Sequence, residues 1–199
     1  MTEQTPRWIR NLIGVVLGAI VVALALVEAF SATATATAET PEAAWATHLR
    51  AVDEALAERA MRRAARSWSN ACLAARAARS WRGMLEVGDA ALRIGEASGT
   101  RAAARPKARQ LYLAAFFGAR QQQALDGILR AAESFAALGD HDVSEQCLRE
   151  GERLAADAGD PDARLRVARS RRVVAERLAR AAATGGDPLA RLGPARDEP

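Results

Sequence analysis

Aromatic side chains make up only 5% of this 199-residue chain, which has two cysteines, two histidines and a single lysine, Lys107. That scarcity removes most catalytic and metal-binding arrangements at once. Cys72 and Cys147 form no CxxC pair, and His48 and His141 stand far apart, so neighbours in sequence assemble no metal ligand set. The G-x-S-x-G elbow, the P-loop and the dinucleotide-binding glycine pattern are all missing. Strand-favouring residues are scarce outside one N-terminal run, which argues against sheet-based enzyme folds. Neither an enzyme nor a bound cofactor or metal is expected.

What the chain does have is helix-forming material. Half of it is hydrophobic and about a quarter is alanine, the residue with the best helix propensity, with Leu, Arg and Glu supplying much of the remainder. The expected fold class is all-α. The 28 basic residues exceed the 24 acidic ones, for a net charge of +4 and a pI near 10. Such a balance raises the question of nucleic acid. Yet every base except Lys107 is arginine, and Arg-for-Lys usage with abundant alanine is also what GC-rich coding produces, so nucleic acid is not expected as a partner.

Residues 12–27, LIGVVLGAIVVALALV, carry no charge. With the flanking apolar residues from Trp8 to Phe30 the run reaches the roughly 20 residues that a helix needs to cross a bilayer. Leu12, Val15, Val16, Leu17, Ile20, Val21, Val22, Leu24, Leu26 and Val27 are its bulky members. Arg7 and Arg10 precede the run while Glu28, Glu39 and Glu42 follow it, so the positive-inside bias places the N-terminus in the cytoplasm. The competing reading is a cleaved signal peptide, because SATATATA at 31–38 offers A-x-A processing patterns. A retained anchor is favoured, since Glu28 and Phe30 suit a processing site poorly. Either way the rest is exported; for the anchor this means a single-pass bacterial inner-membrane protein with a periplasmic domain. The expected organisation is a cytoplasmic end at 1–11, a transmembrane helix at 12–30, a linker at 31–41, a helical domain at 42–180 and a disordered tail at 181–199.

Within 42–180 the helical stretches are punctuated near residues 59–61, 80–83, 98–100, 120–122, 139–140 and 159–161, which implies six or seven helices. Gly99, Gly139 and Gly159 close three of them, the first interval being twice the second. Glycine supplies a left-handed C-terminal cap, and caps that recur in such a ratio, one helix pair and then one helix, mark an antiparallel helical repeat.

Residues 125–158 resemble the tetratricopeptide repeat family. Ile128, Ala131, Ala132 and Phe135 fall where its first helix carries large and small apolar residues and an aromatic; Gly139 and Asp140 fall at its turn. Ser144, Leu148, Gly151 and Leu154 follow the pattern of its second helix. A second frame starts upstream, with Leu111, Ala114, Ala115 and Gly118 preceding Gly127, Ala131 and Ser134. The two frames do not share one register of the family's usual length, so the repeats are degenerate or of a longer kind, roughly 40 residues each. Gly88, Leu92 and Gly95 fit a second helix of the motif. The resemblance implies a helical-repeat solenoid that binds a protein partner, in assembly or stabilisation of an envelope or membrane complex. Ile128, Ala132, Phe135, Ser144, Leu148 and Gly151 are the expected repeat-packing residues.

Two alternatives stay open: an accessory subunit of an integral membrane complex, and a cleaved soluble domain that binds a small ligand. Glu58 with Arg62 and Glu145 with Arg149 have the i,i+4 spacing of solvated helix pairs. Basic residues are densest at Arg59, Arg62, Arg63 and Arg66 and again from Arg164 to Arg172, where Arg166, Arg169 and Arg172 are candidates for partner binding. Trp45, Trp68, Trp81, Tyr112, Phe116 and Phe117 are expected to fill the core. Cys72 and Cys147 read as core thiols, with a disulfide left open.

Overall fold

The computed structural model describes residues 41–185. Among them are seven helices and no strand: α1 Pro41–Ala57, α2 Met61–Ala77, α3 Trp81–Ala97, α4 Arg101–Gln121, α5 Leu125–Ala137, α6 His141–Ala158 and α7 Pro161–Gly185. The all-α class is therefore shown. The apolar run of Leu12 to Val27, with its proposed anchor residues, lies outside the described residues, as do most of the linker and the last part of the tail. No helix of the described residues is long and apolar enough to cross a membrane. Helix α7 continues to Gly185 rather than ending near residue 180.

One device repeats at the turns. Arg59, Arg79, Gly99, Gln123, Gly139 and Gly159 all have positive φ, between 48° and 74°. At the first five, the next residue's N–H bonds back to a carbonyl five residues earlier: Ala60 to Ala55, Ser80 to Ala75, Thr100 to Gly95, Ala124 to Ala119 and Asp140 to Phe135. This is the Schellman closure, which satisfies carbonyls that the helix end would otherwise orphan. Arg59, Gly99 and Gly139 follow at 40-residue intervals and end α1, α3 and α5. Of the caps between them, Arg79 falls midway and only Gln123 is shifted, because α4 has 21 residues and α5 only 13.

Helices α1 and α2, α3 and α4, and α5 and α6 pack as hairpins, and α1, α3, α5 and α7 also touch one another in sequence. The even-numbered helices make at most marginal contact among themselves. The described residues thus form two layers: an inner row of α1, α3, α5 and α7, and an outer row of α2, α4 and α6. Helix α5 packs more extensively on α6 than on α4, and α3, which carries Gly88, Leu92 and Gly95, shares the inner row with α5.

Small residues let the inner helices approach. The third residue of α3 is Gly83, of α5 Gly127 and of α7 Ala163, all buried. A methyl group on Gly83 would lie 3.0 Å from the Trp45 ring of α1, and one on Gly127 would lie 2.7 Å from the Trp81 ring of α3. The Ser80–Gly83 region, expected as a break, is therefore the start of a helix whose glycine makes room for a neighbour. The turn falls earlier, and the Ser80 hydroxyl caps α3 by accepting from Gly83 N at 3.1 Å.

The core falls into two clusters that meet at α3 and α4. Trp45, Leu49, Cys72, Val87 and Leu111 fill the N-terminal one. Leu85, Tyr112, Phe116, Ile128, Phe135 and Leu148 fill the larger C-terminal one, where the Tyr112 and Phe135 rings meet edge to face at 5.9 Å. Phe117 departs from expectation. It is 51% exposed, because Phe116, one residue and about 100° earlier on α4, takes the buried side. The thiols Cys72 and Cys147 are free and buried, one in each cluster.

Candidate functional site

Two adjoining depressions open around the first turn of α3. Capping by Ser80 fixes Trp81 and Arg82 in the first turn of α3, where the Arg82 guanidinium stands 5.5 Å from the centroid of the Trp81 ring. One turn on come Leu85, which is buried, and Glu86; α5 contributes Asp126 and Arg130. These six residues line a depression of about 200 Å³. Across Trp81 and Arg82 lies a second depression of about 310 Å³, bounded by Trp45, Arg79 and Gln122.

Polar contacts across this surface link helices one repeat apart. Trp45 donates its Nε1–H to Glu86 at 3.0 Å. Asp53 pairs with Arg93 at 3.0 Å, Asp89 with Arg130 at 3.6 Å and Asp126 with Arg166 at 2.8 Å, each pair joining two successive inner helices. Further along, Ser170 donates to Glu133 at 3.0 Å, and Arg177 reaches the Glu133 carboxylate at 3.6 Å and its carbonyl at 3.1 Å. Exposed pairs of this kind contribute about 0.2–1 kcal/mol each, so they fix register more than they add stability.

Behind the surface, Tyr112 of α4 donates to Asp89 of α3 at 2.6 Å, and Arg130 of α5 approaches the other Asp89 oxygen. Burial first, then the adjacent Asp89 carboxylate, pushes the phenol's pKa upward, so Tyr112 remains a donor at neutral pH. Gly88 makes space for the ring: a methyl group there would lie 2.5 Å from Tyr112 Cε1. On the outer row, burial and then the Asp140 charge push the Cys147 thiol up to about 12, which leaves it a poor nucleophile. The hydrogen bond from Arg153 holds Glu150 below the usual carboxylate range, with Arg120 contributing.

The residues singled out in the sequence are placed as follows. Ile128, Ala132, Phe135, Ser144, Leu148 and Gly151 are all buried in the α5/α6 hairpin, with Gly151 leaving room for the Leu129 side chain. Arg166 is committed to Asp126, with Asp160 at 3.9 Å, and its Nε is buried without a hydrogen-bond partner. Arg169 and Arg172 are exposed on α7 and pair with no acid among the described residues. The two i,i+4 pairs are not formed. Glu58 meets Arg63 instead of Arg62, because it lies in the turn where helical spacing no longer holds, and Glu145 turns to Arg171 of α7 at 3.5 Å.

Sequence reasoning missed Trp45, Glu86, Asp89 and Arg130 as a connected surface. A signal existed: opposite charges recur at the same separation, one repeat, in Asp53/Arg93 and in Asp126/Arg166. Chemically, the face offers guanidinium donors, carboxylate acceptors and an aromatic edge. Among the described residues no group of three His, Cys, Asp or Glu side chains is arranged to hold a metal ion. No family model and no curated protein matches the chain, so the reading of this face rests on its own geometry.

Proposed function

We propose that this chain is a membrane-anchored helical-repeat adaptor whose inner face holds a segment of a protein partner. On this reading residues 12–30 are the anchor and the described helices form a TPR-like solenoid in the periplasm. The observation that carries the reading is the inner row itself: four helices, the first three closed by caps 40 residues apart, with linked depressions around Trp81 and Arg82. Stacked helix pairs offer such a groove to an extended or helical segment, and an anchor raises the adaptor's effective concentration beside membrane complexes.

The test is mild in-cell crosslinking of the tagged full-length chain, followed by detergent purification and mass spectrometry. One membrane or envelope partner is expected, with the N-terminal segment retained. Combining Arg82→Ala with Arg130→Ala should reduce its capture at least tenfold, while Arg149→Ala on α6 should leave it unchanged. Unchanged capture by the inner-face variant overturns the reading. A strictly stoichiometric partner would favour the accessory-subunit alternative, and a mature chain starting near residues 34–39 with no capture would favour a soluble ligand binder. Charge reversal at Arg169 and Arg172 tests whether α7 adds a second contact.

A further inference from the structure

The outer row is electrically divided. Helix α6 carries Asp142, Glu145, Glu150, Glu152 and Asp157, whereas α2 and α4 carry no acidic residue at all. At the chain's overall frequency of 24 acids in 199 residues, helices of 17 and 21 residues would hold about four or five. Several of their cations are used elsewhere: Arg63 meets Glu58, Arg109 meets Asp140 and Arg120 meets Glu150. Arg62, Arg66, Arg76 and Lys107 are exposed and have no ion-pair partner among the described residues.

Apolar groups share the surface with these cations. On α2 the positions Arg62, Arg66, Leu73 and Arg76 fall on one helical stripe, and Leu73 is 63% exposed. On α4, Lys107 and Phe117 lie on the outward side, with Phe117 half exposed. Between the two helices runs a groove of about 210 Å³ lined by Ala65, Trp68, Ile94, Ala103, Ala104 and Lys107. Trp68 satisfies its Nε1–H inwardly on the Val87 carbonyl at 2.9 Å, so its ring has no unmet polar demand at the groove.

We propose that the α2/α4 face docks on an anionic lipid surface, with the cations against the headgroups and Leu73 and Phe117 entering the interface. An amphipathic surface that mixes basic and apolar residues without acids is what such a boundary selects. The chain length is compatible. Ten residues, 31–40, separate the proposed anchor from Pro41, a reach of at most about 35 Å, so an anchored domain stays within that distance of the bilayer. The tether rests on the anchor reading; the charge and apolar pattern of the face does not.

The test uses the full chain with an environment-sensitive fluorescent residue in place of Leu73, Phe117 or, as a control on α6, Arg149. Each is mixed with vesicles of phosphatidylcholine alone or with a third of phosphatidylglycerol. The expected result is a blue shift at positions 73 and 117 in the anionic vesicles, none at 149, and a weaker shift at high salt. Combining Arg62→Glu, Arg66→Glu and Lys107→Glu should lower the docking equilibrium constant by on the order of fivefold for each cation lost. Circular dichroism checks that this variant is folded, and Phe117→Ser read by the probe at 73, with Leu73→Ser read by the probe at 117, gives a second, charge-neutral route to the same loss. Equal spectra in the two vesicle types overturn the proposal, as does an equal shift at position 149. Co-flotation with the neutral vesicles reads the anchor alone, so failure of the anchor and failure of the face are distinguishable.

Discussion

The inner and outer rows are built from similar alanine-rich helices yet behave differently. In the inner row, Gly83 and Gly127 admit the preceding helix, and aspartates find arginines one repeat away. In the outer row, α2 and α4 lean on α3 and leave a groove between themselves, with cations that no neighbouring acid neutralises. Composition alone does not separate the rows. Inner neighbours supply acids to one another, as α6 supplies Glu150 to Arg120 of α4, but α2 and α4 carry no acid, so the arginines between them remain available to something outside the domain.

The contrast can be broken from the inside first. Phe135→Ala removes a fully buried ring that packs edge to face on Tyr112, and should cost about 3–5 kcal/mol in denaturant unfolding. Its outer counterpart Leu73→Ala should stay within about 0.5 kcal/mol, since Leu73 is largely in water. Glycines sharpen the point. Gly127→Ala forces a methyl group into the Trp81 ring and should cost about 1–3 kcal/mol. Gly118→Ala on α4, where the nearest atom would be 3.7 Å away, should instead stabilise by about 0.5–1 kcal/mol through helix propensity.

Electrostatic changes come next. Tyr112→Phe removes the hydrogen bond that α4 donates to Asp89 and should cost about 1–2 kcal/mol, read by thermal unfolding. Asp126→Asn, which weakens an exposed pair with Arg166, should cost about 0.2–1 kcal/mol. The smallest effect is a pH signature at Glu150. Its folded-state pKa is depressed, so its contribution is fully present above the ordinary value of 4.5 and is lost as the pH falls through the folded value. Glu150→Gln should therefore flatten the acid limb of the stability curve below about pH 4.5, and leave its shape near neutral pH unchanged.

Turn chemistry was the most legible part of the fold. Gly99, Gly139 and Gly159 announce their caps, but Arg59, Arg79 and Gln123 adopt the same left-handed conformation without a glycine to mark it. Gly83 and Gly127 carry the opposite lesson, since a glycine inside a helix can record a neighbour's aromatic ring rather than a break. The two overlapping repeat frames share α5, which one pairs with α6 and the other with α4; α4 is long and α5 short, which displaces the cap between them while the 40-residue period of the inner caps survives. The candidate site was least legible. Its parts sit on α1, α3 and α5, and no local spacing rule connects Trp45 to Glu86 or Asp89 to Arg130.

By itself the sequence determined the helical class, most of the helix ends, the uncharged run at 12–27 and the burial of the apolar stripe through Ile128, Phe135 and Leu148. These follow from propensity, capping and periodicity, which act within a few residues. Only the tertiary structure decided which helices form the inner row, that Phe116 is buried and Phe117 exposed, and which arginines are neutralised. Those outcomes depend on which helices approach one another in space, up to a full repeat apart in the chain, where a missing methyl group or a facing carboxylate sets the distance.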